Sequence, residues 1–316
     1  MIIKFWGVRG SIPTPGLPAD IKRRLKEALV EAFKKRPSPD KLDEFIDSLP
    51  PHTNSLVGGN TPCLEVLHEG ARLIIDAGSG IAPLGLELNL QSLAGQLSNP
   101  VDPETLTPLP ASPASDKPMI VDLLLTHTHW DHIQGFPFFR PAYQLENVIN
   151  VYGDDAEHIE RTMAFQQATP KLFPIQLQMT GARVVFHTFP EDGLKLGPFD
   201  IEALPLPHPG GSLAFKIAAG GATMVFATDY ELRDGDPESD KARVLLASFV
   251  QGADVFISDT QYTYLENLTK QGWGHSNPLR VVEMALACGV KRFFLFHHDP
   301  CYSDTKLFDI LDMTTA

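Results

Sequence analysis

Thr126-His127-Thr128-His129-Trp130-Asp131-His132 follows directly on the apolar run Ile120-Val121-Asp122-Leu123-Leu124-Leu125. The run reads as a β-strand, and the histidine-rich segment as a loop at its end. Three imidazoles and one carboxylate within six positions can serve two metal ions from one short loop. Imidazole suits Zn²⁺ and similar ions, and the carboxylate adds a hard oxygen donor. A single His-X-His would say little; His-X-His-X-Asp-His behind a strand is a dense ligand set.

A pair of ions needs more donors than one loop supplies, and other strand ends offer them. His208 follows the run 199–204, inside Pro205-Leu206-Pro207-His208-Pro209-Gly210-Gly211. Asp229 follows Met224-Val225-Phe226-Ala227-Thr228, and His297 follows Phe293-Phe294-Leu295-Phe296. A carboxylate at position 229 can bridge two cations. Open α/β sheets gather their sites where strands terminate.

The strand-like runs are 2–6, 63–68, 71–76, 120–125, 148–152, 183–187, 199–204, 212–218, 222–227, 254–258 and 292–296. Glycines between neighbours (Gly70, Gly220-Gly221) suggest hairpins. Helical patterns cover about 80–88, 155–168, 238–250, 276–288 and 303–312. That order predicts two packed sheets with helices outside, a four-layer αββα sandwich of the α/β class. The 316 residues read as a single domain with two insertions. The first, at about 17–50, carries a helix with Ile21, Leu25, Ala28, Leu29, Ala32 and Phe33 on one face and basic residues elsewhere. It is expected to pack by the apolar face with a solvated basic face outside; the sharper reading makes it a cap or phosphate-attracting flap. The second, at about 89–118, is rich in proline and reads as a loop.

Net charge is −13, which speaks against a long polyanionic substrate but not against a small phosphate ester. Three scattered cysteines, Cys63, Cys288 and Cys301, form no Cys-X-X-Cys pair, so neither a disulfide framework nor a thiolate zinc site is indicated. No apolar run approaches the ~20 residues of a membrane span. A cytoplasmic protein without a membrane partner is the expectation.

These residues resemble the metallo-β-lactamase superfamily, in particular its phosphodiesterase branch, which includes ribonuclease Z proteins and PhnP-type cyclic phosphodiesterases. The resemblance rests on His127-X-His129-X-Asp131-His132 with His208, Asp229 and His297. It extends to Phe5-Trp6-Gly7-Val8-Arg9-Gly10-Ser11-Ile12-Pro13, Leu73-Ile74-Ile75-Asp76-Ala77-Gly78 and Gly272-Trp273-Gly274-His275-Ser276. It implies a hydrolase holding two divalent ions, Zn²⁺, Mn²⁺ or Fe²⁺. His127, His129 and His208 would hold one ion; Asp131, His132 and His297 would hold the other; Asp229 would bridge. A metal-bridging hydroxide would attack a small or cyclic phosphodiester. Asp131 would help orient it, and His275 would donate a hydrogen bond or proton to the phosphate or leaving oxygen. Asp76, His298 and Asp299 would support the ligands from behind. Asn60 could line the pocket, although Gly58-Gly59-Asn60-Thr61 also reads as a structural turn. By analogy the branch also suggests a homodimer. The alternatives are a nuclease acting on RNA or DNA ends, a lactone or thioester hydrolase, and a metal-binding sensor without turnover.

Overall fold

In the computed structural model, which describes residues 1–97 and 118–315, turn chemistry sets the strand pairing. Glu69 (φ 48°) and Gly70 (φ 79°) close one hairpin; Gly220 (φ 58°) and Gly221 (φ 74°) close another. Two consecutive positive φ angles match the right-handed twist of the flanking strands.

The chain begins with β1 (Ile2–Gly7), α1 (Pro18–Lys35), α2 (Leu42–Asp47), α3 (Pro51–Asn54), β2 (Cys63–His68) and β3 (Ala71–Ile75). Next come α4 (Ile81–Leu97), β4 (Ile120–Leu124), α5 (Trp130–Ile133), β5 (Val148–Gly153), α6 (Ala156–Gln166) and β6 (Arg183–Thr188). The second half holds β7 (Leu194–Leu196), β8 (Phe199–Leu206), β9 (Ser212–Ala219), β10 (Ala222–Ala227), α7 (Pro237–Val250) and β11 (Val255–Asp259). It ends with α8 (Tyr264–Thr269), α9 (Pro278–Ala287), β12 (Phe293–Phe296) and α10 (Asp304–Thr315).

The first half forms a six-stranded sheet in the order β1-β2-β3-β4-β5-β6, and the second half one in the order β12-β11-β10-β9-β8-β7. Strands β3 to β6 run parallel, as do β10 to β12. Parallel neighbours end at the same edge of their sheet, so the loops after them share one rim.

Side-chain alternation assigns the layers. Leu64, Val66, Leu73 and Ile75 meet Phe215, Ile217, Phe226 and Phe296 between the sheets. The opposite parity, Cys63, Ile74, Val121 and Leu123, packs under Ile81, Leu84 and Leu88 of α4 and Ile159 and Met163 of α6. On the far side, Ala214, Val225 and Phe256 pack under Leu246 and Val250 of α7 and Val281 and Ala285 of α9. Four layers result, as the order of runs predicts.

Two expectations need correction. Residues 89–97 are not loop; they continue α4, because Leu88 and its neighbours extend an apolar helical pattern across the expected boundary. The remainder of that insertion, 98–117, lies outside the described residues. The second correction concerns α1, which buries no residue. Ile21, Leu25, Leu29 and Phe33 are exposed, while the polar side holds the helix to the body. Arg24 Nη2 lies 2.6 Å from Asp304 Oδ2, and Thr53 donates to Glu27 (3.1 Å). Among the described residues, these contacts lead to α3 and α10, and no hydrogen bond or ion pair joins α1 to the histidine-rich loop.

Candidate metal centre

The loop after β4 is pinned from beneath by Asp76. This residue directly follows β3, sits in the left-handed region (φ 62°) and is fully buried. Its carboxylate accepts the Thr126 N–H (2.9 Å) and hydroxyl (3.0 Å) and lies 2.9 Å from His132 Nδ1. Thr126 Oγ1 in turn lies 3.1 Å from His127 Nδ1. His129 N-caps the single turn of α5, which brings Asp131 and His132 round to the same centre. With both Nδ1 atoms occupied, His127 and His132 present Nε2. Fixing one ring nitrogen so that the other can bind is the usual support of a ligating histidine.

Side chains from distant strand ends converge in three overlapping groups, His127, His129, His208 and Asp229; Asp131, His132 and His297; and Asp229, Asp259, His275 and His297. The first two, with Asp229 beside both, comprise the seven residues expected as ligands. In the first, His208 Nε2 is 3.0 Å from His129 Nδ1, and Asp229 Oδ1 is 3.9 Å from His127 Nε2 and 3.8 Å from His208 Nε2. In the second, His297 Nε2 is 3.1 Å from Asp131 Oδ2 and 3.3 Å from His132 Nε2. Asp229 Oδ2 is 3.2 Å from both His132 Nε2 and His297 Nε2. Asp229 therefore turns one oxygen to each of these two groups. It reaches this position at φ 54°, and His297 at φ 60°. His297 directly follows β12, and Asp229 comes two residues after β10.

A third layer fixes the rings. His208 Nδ1 lies 2.8 Å from the Gly274 carbonyl, His297 Nδ1 3.2 Å from Gln261 Oε1, and His275 Nδ1 2.8 Å from Asp259 Oδ2. The Ser11 N–H donates to Asp131 Oδ2 (2.7 Å), bringing the glycine loop after β1 to the site. Glu231 accepts the N–H groups of Gly272 and Gly274 and so holds the strip that carries His275. Gly274 sits at φ +84° with a virtual Cβ only 2.2 Å from His208 Nδ1, so a side chain there would displace the imidazole. Sequence reading missed Asp259, Gln261 and Glu231. Asp259 had a signal: it ends β11 between the strands whose ends supply Asp229 and His297.

Other predicted residues are placed elsewhere. The Asn60 carbonyl accepts from Val8 and Arg9, and its side chain from Ser79 Oγ (3.1 Å), which is turn architecture. His298 is buried behind the site in a bridge with Arg9; burial, then Arg9 and His297, push its pKa down to about 3. Asp299 accepts the Cys301 N–H and faces Lys270. Among the described residues, no hydrogen bond joins the side chain of either to a ligand imidazole, so the supporting role expected of them falls to Asp76, Gln261 and the Gly274 carbonyl.

The electrostatics suit a cation. Burial, reinforced by neighbouring His132, pushes His127 well below the ordinary histidine range, and burial also lowers His129 and His208. Neutral imidazole is the ligating form. Burial opposes ionisation of Asp229, but His297 and His132 hold it well below the ordinary carboxylate range. Burial likewise disfavours charge on His132, yet Asp229, Asp131 and Asp76 raise it well above the usual value. Carboxylates packed around one imidazole demand positive charge. His127 Nε2 is buried without a hydrogen-bond partner, a costly state for a polar atom unless something binds it. Donor type, orphaned nitrogen and unbalanced negative charge all fit divalent metal.

Two sheets that meet at a rim of His and Asp residues define a metallo-β-lactamase-type metal hydrolase scaffold. Residues 71–298 match the family model of the beta-lactamase superfamily domain, and the chain belongs to that superfamily. It is 24% identical over 219 residues to a ribonuclease Z of Exiguobacterium sibiricum, covering 58% of this chain and 73% of that one. Among solved structures it resembles the metallo-beta-lactamase fold protein YhfI from Bacillus subtilis (TM-score 0.57, 19% identity, 99% and 91% coverage). A diphosphatase from the PhnP family is similar (TM-score 0.57, 15% identity, 96% and 89% coverage).

Proposed function

We propose that this chain is a binuclear metal-dependent phosphodiesterase acting on a small or cyclic phosphodiester. The observation that carries the reading is the division of Asp229 between the two groups, Oδ1 towards His127 and His208, Oδ2 towards His132 and His297. His127, His129 and His208 would hold one ion, Asp131, His132 and His297 the other. Such ions supply Lewis acidity to a phosphoryl oxygen and lower the pKa of water. The likeness to a ribonuclease Z and to a PhnP-family diphosphatase supports phosphoester chemistry.

The protein's own part is to orient and to move a proton. Burial works against a charged His275, but Asp259 at 2.8 Å, with Asp229 and Asp131 further off, raises its pKa to about 9. Its Nδ1 faces Asp259, which leaves Nε2 to carry the proton that a phosphate oxygen or leaving alkoxide takes up. Asp131 Oδ2 accepts the Ser11 N–H (2.7 Å) and lies 3.1 Å from His297 Nε2, so the carboxylate is held in place and would help orient the attacking water.

Purified protein supplied with Zn²⁺ or Mn²⁺ should hydrolyse bis(p-nitrophenyl) phosphate, and His129→Ala should abolish that turnover. Full activity in the variant would sink the assignment. A panel in which a lactone or thioester is turned over and every phosphodiester is inert would move the chemistry to the other ester class.

A further inference from the structure

Helix α1 is inside out. Its residues divide cleanly by exposure. Asp20, Arg23, Arg24, Glu27, Ala28, Glu31 and Ala32 face the body half-buried, whereas the outward side carries the large apolar residues. Ile21, Leu25, Leu29 and Phe33 form one ridge at four-residue spacing, exposed to 58%, 58%, 56% and 78%. A soluble surface helix normally turns such a ridge inward, and a contiguous exposed apolar strip marks an interaction surface.

The charges say what kind. Every exposed charged residue from 18 to 36 is basic: Lys22, Lys26, Lys34, Lys35 and Arg36. The acidic side chains are half-buried and neutralised, Glu27 paired with Arg23 (2.8 Å) and Glu31 with the exposed Lys34 (2.7 Å). The polar face is fixed to the body through Arg24 and Asp304, and Asp304 also binds buried Arg9 (2.8 Å). The helix therefore cannot roll its apolar ridge inward without breaking that network. A second copy offering the same face would set lysine rows opposite lysine rows, which costs energy rather than gaining it.

We propose that this face docks on a bilayer surface rich in anionic phospholipid. A helix of 18 residues, about 27 Å long, would lie in the interface plane. Ile21, Leu25, Leu29 and Phe33 would enter the acyl boundary while Lys22, Lys26 and Arg36 reach anionic headgroups. No span is needed, and no helix among the described residues is long and apolar enough to cross a membrane.

Co-sedimentation of the full chain with vesicles tests this. Binding should be strong on phosphatidylcholine vesicles containing phosphatidylglycerol and weak on phosphatidylcholine alone, and it should fall steeply between ~0.1 M and roughly 0.5 M salt. Each basic side chain near an anionic surface is worth roughly fivefold in binding, so Lys22→Gln with Lys26→Gln should lower it by about tenfold or more. Leu25→Gln with Phe33→Gln should lower it as far on either vesicle type. These side chains are exposed, so the variants should keep the wild-type melting curve and the turnover of bis(p-nitrophenyl) phosphate. Absence of vesicle binding, equal binding to both vesicle types, or binding indifferent to Leu25→Gln with Phe33→Gln would overturn the proposal. So would a concentration-dependent dimer that Leu25→Gln with Phe33→Gln disperses, since the face would then belong to a second copy.

Discussion

Asp259 acts on the site without being one of its expected ligands. Its Oδ2 lies 2.8 Å from His275 Nδ1 and 3.6 Å from His297 Nδ1, and Oδ1 accepts the N–H groups of Gln261 and Ser276. One carboxylate thus orients the proposed acid and locks the turn that carries it. Asp259→Ala should lower turnover of a phosphodiester roughly 100-fold, within the usual range for general-acid catalysis, while the protein retains its bound metal; steady-state rates beside elemental analysis check both halves. The histidine loop was legible in the sequence because its donors are adjacent. Asp229 and His297 were legible because each follows an apolar run. Asp259 follows one too, but Ser258-Asp259-Thr260-Gln261 carries no second ligand to draw attention. Backbone conformation was invisible: Asp76, Asp229 and His297 all adopt positive φ, a state costing ~1–3 kcal/mol each for non-glycine residues, held because the surrounding strands over-determine it.

At the level of elements, the main strands and helices followed their periodicity, and the departures have physical causes. β7 has three residues, Leu194–Leu196, too short for an alternation to register. For α1, periodicity located the apolar stripe but not what lies opposite it. The inward choice is made by Asp304, far along the chain, which takes Arg24 and Arg9 together. Helix α8 shows a local signal that works as written. Thr263 and Glu266 form a capping box, and Glu266 also accepts from Tyr302 and faces Lys306 at 2.9 Å. Burial works against its ionisation, but Thr263, Tyr302 and Lys306 hold its pKa down to about 2 from an ordinary 4.5. A carboxylate depressed on folding stabilises the fold above its unfolded pKa, and the contribution is lost as pH falls through the folded value. Thermal melts should therefore show a loss of stability between about pH 4.5 and about 2 that is smaller in Glu266→Gln. Identical pH profiles for the two proteins would contradict the capping role.

Across the whole molecule, the fold exists to bring strand ends together. Parallel β3 and β4 deliver Asp76 and the 127–132 loop; parallel β10, β11 and β12 deliver Asp229, Asp259 and His297. Packing the two sheets face to face closes these rims on each other, so residues more than a hundred positions apart share a centre. Charge is segregated on the same scale. The chain carries a net −13, the metal centre concentrates carboxylates, and the outward face of α1 is basic. We propose that this centre binds two ions with Asp229 between them. Equilibrium dialysis against Zn²⁺ or Mn²⁺, followed by elemental analysis, measures it directly. The expected result is two ions per chain for the wild-type protein and no more than one for Asp229→Ala. A single ion in the wild-type protein at saturation, or two in Asp229→Ala held as tightly as before, would contradict it.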